Sequence, residues 1–286
     1  MSEIRRAVIP LAGRGTRLAP LSRVVPKGLL PMPRSDGRLV PLIQLLVEEV
    51  AAAGLNELIF VVPTGGRAIF EPAVMAPGEL SITFAEQHTP RGLGDAILSA
   101  REAVGDERFL MILGDHAFTS IVEQCCSRQL VEAAKNAEGA WTAVTRVGPS
   151  ELCGVAALRG VALPGERNHY RVEAIREKPS LAYAREHLHQ PGLPDDIFLG
   201  HFGMHVFPPE IFSALDRLSA STPSEREVEL TAAQEALLGL VPYHMLEIDG
   251  ERHDTGIPQA YLETMLALGL RTPFGGELAE RISARL

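Results

Sequence analysis

Short continuous apolar runs alternate along this chain with stretches in which apolar residues recur at helical spacing. The first run, residues 7–12 (AVIPLA), reads as a buried strand. Residues 41–54 (PLIQLLVEEVAAAG) place apolar side chains on one helical face, with Pro41 suited to the helix start and Gly54 to its C-terminal cap. Residues 58–62 (LIFVV) form a second buried run. Strand, helix and strand in succession predict a right-handed βαβ unit and a parallel sheet. Residues 81–86 (SITFAE) then read as a strand and residues 95–104 as a helix entered through Arg91-Gly92-Leu93-Gly94. Residues 109–113 (FLMIL) are a further buried strand, ending at Gly114-Asp115.

Beyond residue 140 the pattern turns to strands, at 141–147, 154–158 and 169–177, with few helical signals between them. Residues 187–196 (HLHQPGLPDD) read as a surface loop and 198–207 (FLGHFGMHVF) as another strand. Helices are expected at 209–218 and 225–238, the last strand at 242–248, and an amphipathic helix at 257–270. No internal repeat, low-complexity tract or long linker interrupts the series. One domain over 1–286 is therefore expected, with a front lobe (1–140) and a back lobe (141–286) that completes a cleft. The fold class is α/β: a Rossmann-like, three-layer arrangement about a mostly parallel central sheet, whose ligands belong at the carboxyl ends of the strands.

Composition narrows the class of partner. An apolar content of 46% and a charged content of 22% are ordinary for a globular protein. A net charge of −9 leaves no basic stripe for a nucleic-acid backbone, yet is compatible with a local basic cluster around a small phosphorylated ligand. Cys125, Cys126 and Cys153 are odd in number and lack metal-ligand spacing, as expected of reduced thiols in the cytoplasm. No run has signal-peptide form or the length to span a membrane, so no membrane partner is expected.

The candidate chemistry sits where runs end. Gly13-Arg14-Gly15-Thr16-Arg17 follows the first strand, and two glycines at that spacing let backbone N–H groups approach an anion. Arg17 adds a planar donor fork and Lys27 a point charge. A glycine loop after a strand also occurs with no ligand at all, and both readings stand at this stage. The loop is not a dinucleotide fingerprint, because Leu18 occupies the third glycine position, and no Gly-Lys-Ser/Thr makes it a Walker loop. Asp115 and Asp254 each read either as ligands of a hard cation or as helix N-caps; the pair of them near strand ends favours the cation. His201 and His205 stand at H-x(3)-H in a strand, where four residues span roughly 13 Å, too far for one ion. No G-x-S-x-G elbow is present for a serine hydrolase.

The pattern G-x-G-T-R-L at residues 13–18, followed by Pro26-Lys27, closely resembles the signature of the sugar-1-phosphate nucleotidyltransferases, most of all their bacterial UTP–glucose-1-phosphate uridylyltransferase branch. The resemblance extends along nearly the whole chain. It implies that Leu11, Ala12, Gly13, Gly15, Thr16 and Arg17 surround the nucleotide and that Lys27 contacts phosphate during transfer. Gln87 and Gly92, in Q-x(4)-G-L-G, correspond to residues that recognise the nucleobase edge. Gly154, Glu177, Lys178 and Gly203 correspond to the sugar-phosphate site, and Asp115 and Asp254 to the ligands of Mg²⁺. The implied fold is the nucleotidyltransferase one with a smaller sugar-binding lobe, and the implied assembly a homo-oligomer. The implied reaction joins a nucleoside monophosphate from an NTP, with UTP expected, to a sugar-1-phosphate such as glucose-1-phosphate, and releases pyrophosphate. Departures are Gly28-Leu29-Leu30 after Lys27, Gly114 before Asp115, and Ala232 after Glu229-Leu230-Thr231. Another nucleotide, another sugar or cyclitol phosphate, and a non-catalytic regulatory relative therefore stay open, while a dehydrogenase is disfavoured by the missing glycine.

Overall fold

The computed structural model describes residues 3–166 and 168–285; of the expected domain 1–286, Met1, Ser2, Arg167 and Leu286 lie outside them. The strands are β1 (Arg6–Pro10), β2 (Pro31–Pro33), β3 (Leu39–Pro41), β4 (Glu57–Pro63), β5 (Ser81–Gln87), β6 (Phe109–Ile112) and β7 (His116–Ser120). They continue with β8 (Ala140–Val147), β9 (Ala156–Ala162), β10 (His169–Glu177), β11 (Phe198–Phe207), β12 (Tyr243–Glu247) and β13 (Gly250–Asp254). Nine of them form one sheet in the order β5-β4-β1-β6-β11-β8-β12-β10-β9. The front strands β5, β4, β1 and β6 pair in parallel, as the βαβ pattern requires. β11 enters antiparallel between β6 and β8, and β10 runs antiparallel to both β12 and β9. The sheet is thus mixed, with β10 and β11 opposed to the rest. The direction of β11 was not legible because the strand is buried along nearly all its length, and a continuous apolar run reads alike either way.

Alternation along the strands splits the core between two faces. In β1, Ala7 and Ile9 face the helices Leu42–Ala52 and Cys126–Lys135, and Val8 faces Leu93–Ser99, Glu210–Ser221 and Leu230–Leu237. The helix Cys126–Lys135 is closed at both ends by side chains from other segments. Glu49 Oε1 accepts from the Ser127 N–H at 2.7 Å, and the Arg108 guanidinium donates to Ala134 O at 2.9 Å and Gly139 O at 3.2 Å. The Arg108 charge matches the sign of the helix dipole at its C-terminal end, while burial pushes the Glu49 carboxyl above its ordinary value.

Several elements differ from the pattern reading. The helix expected at 95–104 begins earlier and breaks into Leu93–Ser99 and Arg101–Val104. The one expected at 225–238 is shorter, Leu230–Leu237, because the chain before it bonds across the glycine turn: Val228 N donates to Arg91 O and Gly94 N to Val228 O. Helices Leu181–His187 and Gly275–Ser283 were not anticipated. Nor was β13, which follows the strand expected to be last and pairs antiparallel with β7 in a two-stranded ribbon apart from the main sheet. Its sequence, GERHD, has no apolar run to mark it.

The histidine spacing also resolves differently. β11 bulges between His201 and His205, where Gly203 takes φ +100°, so the two rings meet edge to face at 4.7 Å instead of standing a strand's length apart. His205 Nδ1 lies 2.8 Å from Thr142 Oγ1 and 3.1 Å from Gln234 Nε2, and Gln234 Nε2 donates to Tyr243 Oη at 2.7 Å. Burial, aided by the charge of Arg252, pushes the His201 imidazole down to about 3. Burial and its neighbour His201 push His205 well below its ordinary value of 6.5.

The folded protein therefore binds fewer protons here than the unfolded chain below pH 6.5. Stability from these groups is complete above that pH and is lost as pH falls toward 3. Denaturant unfolding at pH 5 is expected to show a loss of about 2 kcal/mol per buried imidazole relative to pH 7.5. His205→Gln should flatten that slope; an unchanged slope would place the acid sensitivity elsewhere.

Candidate active site

The loop after β1 is shaped by glycines at two points. Leu11 N donates to Val61 O at 2.7 Å, keeping the chain on the sheet for one residue more. Gly15 then turns at φ +61°, and Thr16–Leu18 close a single 3₁₀ turn. A Cβ on Gly15 would fall 3.1 Å from Lys27 Cγ, so the glycine lets the lysine stem cross the loop. A Cβ on Gly13 would meet nothing within 4 Å, leaving that face of the loop open, and Thr16 and Arg17 are exposed beside it. Lys27 reaches Asp115, its Nζ 3.2 Å from Oδ2.

Asp115 is followed by the strand β7 and not by a helix, so the helix-cap reading fails. Pairing of β7 with β13 sets His116 directly opposite Asp254, and Thr255 clamps the junction by donating to the Asp115 carbonyl from its N–H at 3.0 Å and its hydroxyl at 2.8 Å. Gly256 N donates to Asp254 Oδ1 at 2.6 Å. A Cβ on Gly256 would lie 2.9 Å from Asp254 Oδ1 and 3.3 Å from Arg17 Nη2, which brings the glycine loop and the second aspartate to one place. Donor atoms of Asp115, His116 and Asp254 all lie within 4.8 Å of one another. Two carboxylates suit a hard divalent cation, and His116, with Nδ1 3.0 Å from Asp115 Oδ1, orients the first of them. Burial opposes ionisation of Asp115, but the hydrogen bond from His116 and the charge of Lys27 outweigh it. The carboxyl stays well below the usual range.

Gln87 ends β5 and is 4% exposed, so it is not a solvent-facing loop residue. Its amide NH₂ donates to Asp95 Oδ2 at 2.6 Å and to Gly92 O at 3.2 Å. Because a carboxylate only accepts, Asp95 fixes which end of the amide faces it and leaves only the oxygen for a ligand. Gly92 at φ +92° has no room for a Cβ, which would fall 2.8 Å from Glu227 Cβ.

The third group closes β10. Glu177 Oε2 accepts from Thr231 Oγ1 at 2.6 Å, and Oε1 lies 3.2 Å from Lys178 Nζ. Lys178 takes φ +42°, a left-handed backbone that a non-glycine residue holds only under constraint from its surroundings; here its N–H is tied to Val155 O at 3.1 Å. Gly154, just before Val155, faces open space. Gly203 O accepts from Leu113 N at 2.9 Å, joining the β11 bulge to the segment that carries Asp115.

The profile of the nucleotidyl transferase family matches residues 6–269. The chain belongs to the nucleotidyl transferase family. A UTP–glucose-1-phosphate uridylyltransferase of Streptococcus pyogenes is 30% identical, over 96% of this chain and 93% of its own length. The fold is that of a UDP-glucose pyrophosphorylase of Acinetobacter baumannii, with TM-score 0.78 at 24% identity over 99% of this chain and 100% of that one. A UDP-glucose pyrophosphorylase complexed with UDP-glucose gives TM-score 0.74 at 24% identity, over 92% and 98%.

Two departures of this nucleotidyl transferase from the uridylyltransferase pattern have local causes. A Cβ on Gly28 would fall 2.6 Å from Ile43 Cγ2, and one on Gly114 would strike the Pro10 carbonyl. Asp95 and Arg252 belong to the site's surroundings and were missed, since neither lies in a recognisable motif position. Among the described residues no helix is long and apolar enough to cross a membrane.

Two outcomes are expected. Gly28→Ala should cost about 1–3 kcal/mol through overpacking against Ile43, read by thermal or denaturant unfolding. Mg²⁺ or Mn²⁺ should raise the thermal midpoint of the wild type but not of Asp115→Asn or Asp254→Asn; equal shifts in the variants would put the cation elsewhere.

Proposed function

We propose that the protein transfers UMP from UTP to glucose-1-phosphate, releasing pyrophosphate and forming UDP-glucose. The observation that carries this reading is the meeting of a glycine loop, Lys27 and Arg17 with two aspartates from distant segments of the chain. A sugar-1-phosphate is mostly dianionic at neutral pH, its second pKa being about 6, so it attacks without a general base. Its oxygen forms the new bond to the α-phosphorus while the bond from that phosphorus to the bridging oxygen of pyrophosphate breaks. No covalent enzyme intermediate is involved. The chain's task is to place the two in line and to disperse charge on the leaving group.

In this reading Leu11, Ala12, Gly13, Gly15, Thr16 and Arg17 cradle the nucleotide, with Lys27 at its phosphates. The Gln87 oxygen accepts from the imide N–H of uracil, a proton that cytosine lacks at the same ring position, and Gly92 brings backbone to the base. Glu177 takes sugar hydroxyls and Lys178 the sugar phosphate, with Gly154 and Gly203 lining that side. Asp115 and Asp254 would hold Mg²⁺, which when bound neutralises phosphate charge. The front lobe then serves the nucleotide and the back lobe the sugar. A cytoplasmic setting accords with three free cysteines. A homo-oligomer accords with Leu262, Leu266, Leu270 and Phe274 exposed toward the chain's end.

Pyrophosphate release over a grid of UTP, dTTP, ATP, GTP and CTP against several sugar-1-phosphates tests the assignment. Release with UTP and glucose-1-phosphate is expected, and Gln87→Ala should erode the choice of base more than the rate. Preference for another pair would move the substrates and keep the mechanism. Nucleotide binding without release from any pair would favour a regulatory role.

A further inference from the structure

The two lysines of the cleft are matched by carboxylates. Lys27 pairs with Asp115 and Lys178 with Glu177, each at 3.2 Å. The half-buried Arg252 has no carboxylate within ion-pairing distance among the described residues. Its one side-chain hydrogen bond there is from Nη1 to His201 O at 2.7 Å. A guanidinium carries five N–H donors, and with one of them spent on that carbonyl the rest of the fork is left for solvent or for an anion.

The position of Arg252 says which anion. It stands two residues before Asp254 on β13, so period-2 alternation puts both on the same face of the ribbon, together with His116 opposite Asp254. It senses the charges of Asp254 and of Glu151, which lies in the loop leading to Gly154. The carbonyl that anchors it belongs to the β11 bulge, two residues before Gly203. The nucleotide side already has Arg17 and Lys27 at the glycine loop, whereas Arg252 is held among the elements of the sugar side. That anchor sets the fork's position before any ligand arrives.

We propose that Arg252 binds the phosphate of the sugar-1-phosphate, next to the aspartate pair and together with Lys178. The planar guanidinium offers two parallel N–H groups to one phosphate, which a lysine cannot. This assignment rests on the acceptor being a sugar-1-phosphate, as proposed above.

Steady-state kinetics of Arg252→Gln and Arg252→Lys test it. Arg252→Gln is expected to raise the KM for glucose-1-phosphate at least tenfold and to leave the KM for the nucleotide within twofold, with Arg252→Lys in between. A glucose-1-phosphate KM within twofold of wild type overturns the proposal. So does an equal rise in both KM values with a lowered thermal midpoint, which would make Arg252 only a strap between β13 and the β11 bulge. If wild type turns over no nucleotide with this acceptor, the proposed reaction fails, and Arg252 is judged by calorimetry. Glucose-1-phosphate is then titrated into protein holding Mg²⁺ and α,β-methylene-UTP. Binding by wild type that is lost in Arg252→Gln supports the proposal; equal binding by both, or none by wild type, overturns it.

Discussion

The site depends on one pairing of backbone, that of β13 against β7. Asp115 follows the carboxyl end of β6, in the interior of the main sheet, and Asp254 comes well over a hundred residues later, so neither has any local reason to be near the other. The antiparallel ladder sets Asp254 across from His116, and Thr255 bonds back to the Asp115 carbonyl with both its donors. Two carboxylates brought together repel, and that cost must be met by fixed partners and by positive charge. Lys27 and His116 supply it for Asp115, and the Gly256 N–H for Asp254. The ribbon is polar and contributes little to the core; its geometry is spent on function.

A second constraint is the bulge in β11. By adding residues between the His201 and His205 pairings it turns Gly203 toward Leu113, frees the His201 carbonyl for Arg252 and presses two imidazoles together in the interior. Bulges re-aim side chains where a regular strand would not serve. This one joins the segment carrying Asp115 to the ribbon carrying Asp254, because Leu113 and Arg252 each stand two residues before an aspartate of the pair. The buried network of Thr142, His205, Gln234 and Tyr243 fastens the helix Leu230–Leu237 behind it, and the same helix supplies Thr231 to Glu177.

Electrostatics explain how an acidic chain can handle acidic ligands. A net charge of −9 belongs to the whole chain, while Arg17 and Lys27 gather beside Asp254 and Asp115. Local positive potential in a partly desolvated cleft outweighs a diffuse negative one screened by water and salt. Asp95 and the Gly92 carbonyl take up the amide protons of Gln87, turning a residue that can donate and accept into one that presents an acceptor.

Much was readable in the residues alone. Apolar runs bounded by glycine marked β1, β4, β6 and β11, and helical spacing marked the helix after Pro41, because burial of one face leaves a periodic trace whatever the surroundings. The glycine loop with Arg17 and Lys27, and the two aspartates, stood out for their order and spacing. The direction of β11, the polar strand β13, the contact of His201 with His205, the commitment of the Gln87 amide and the solitary charge of Arg252 did not. Each depends on partners distant in sequence, and a five-residue polar strand or a two-residue bulge carries no periodicity of its own. Local sequence determined which segments could be strands or helices and which side chains could do chemistry. Only the tertiary structure decided which of those side chains meet, since that is settled by strand pairing across the whole chain.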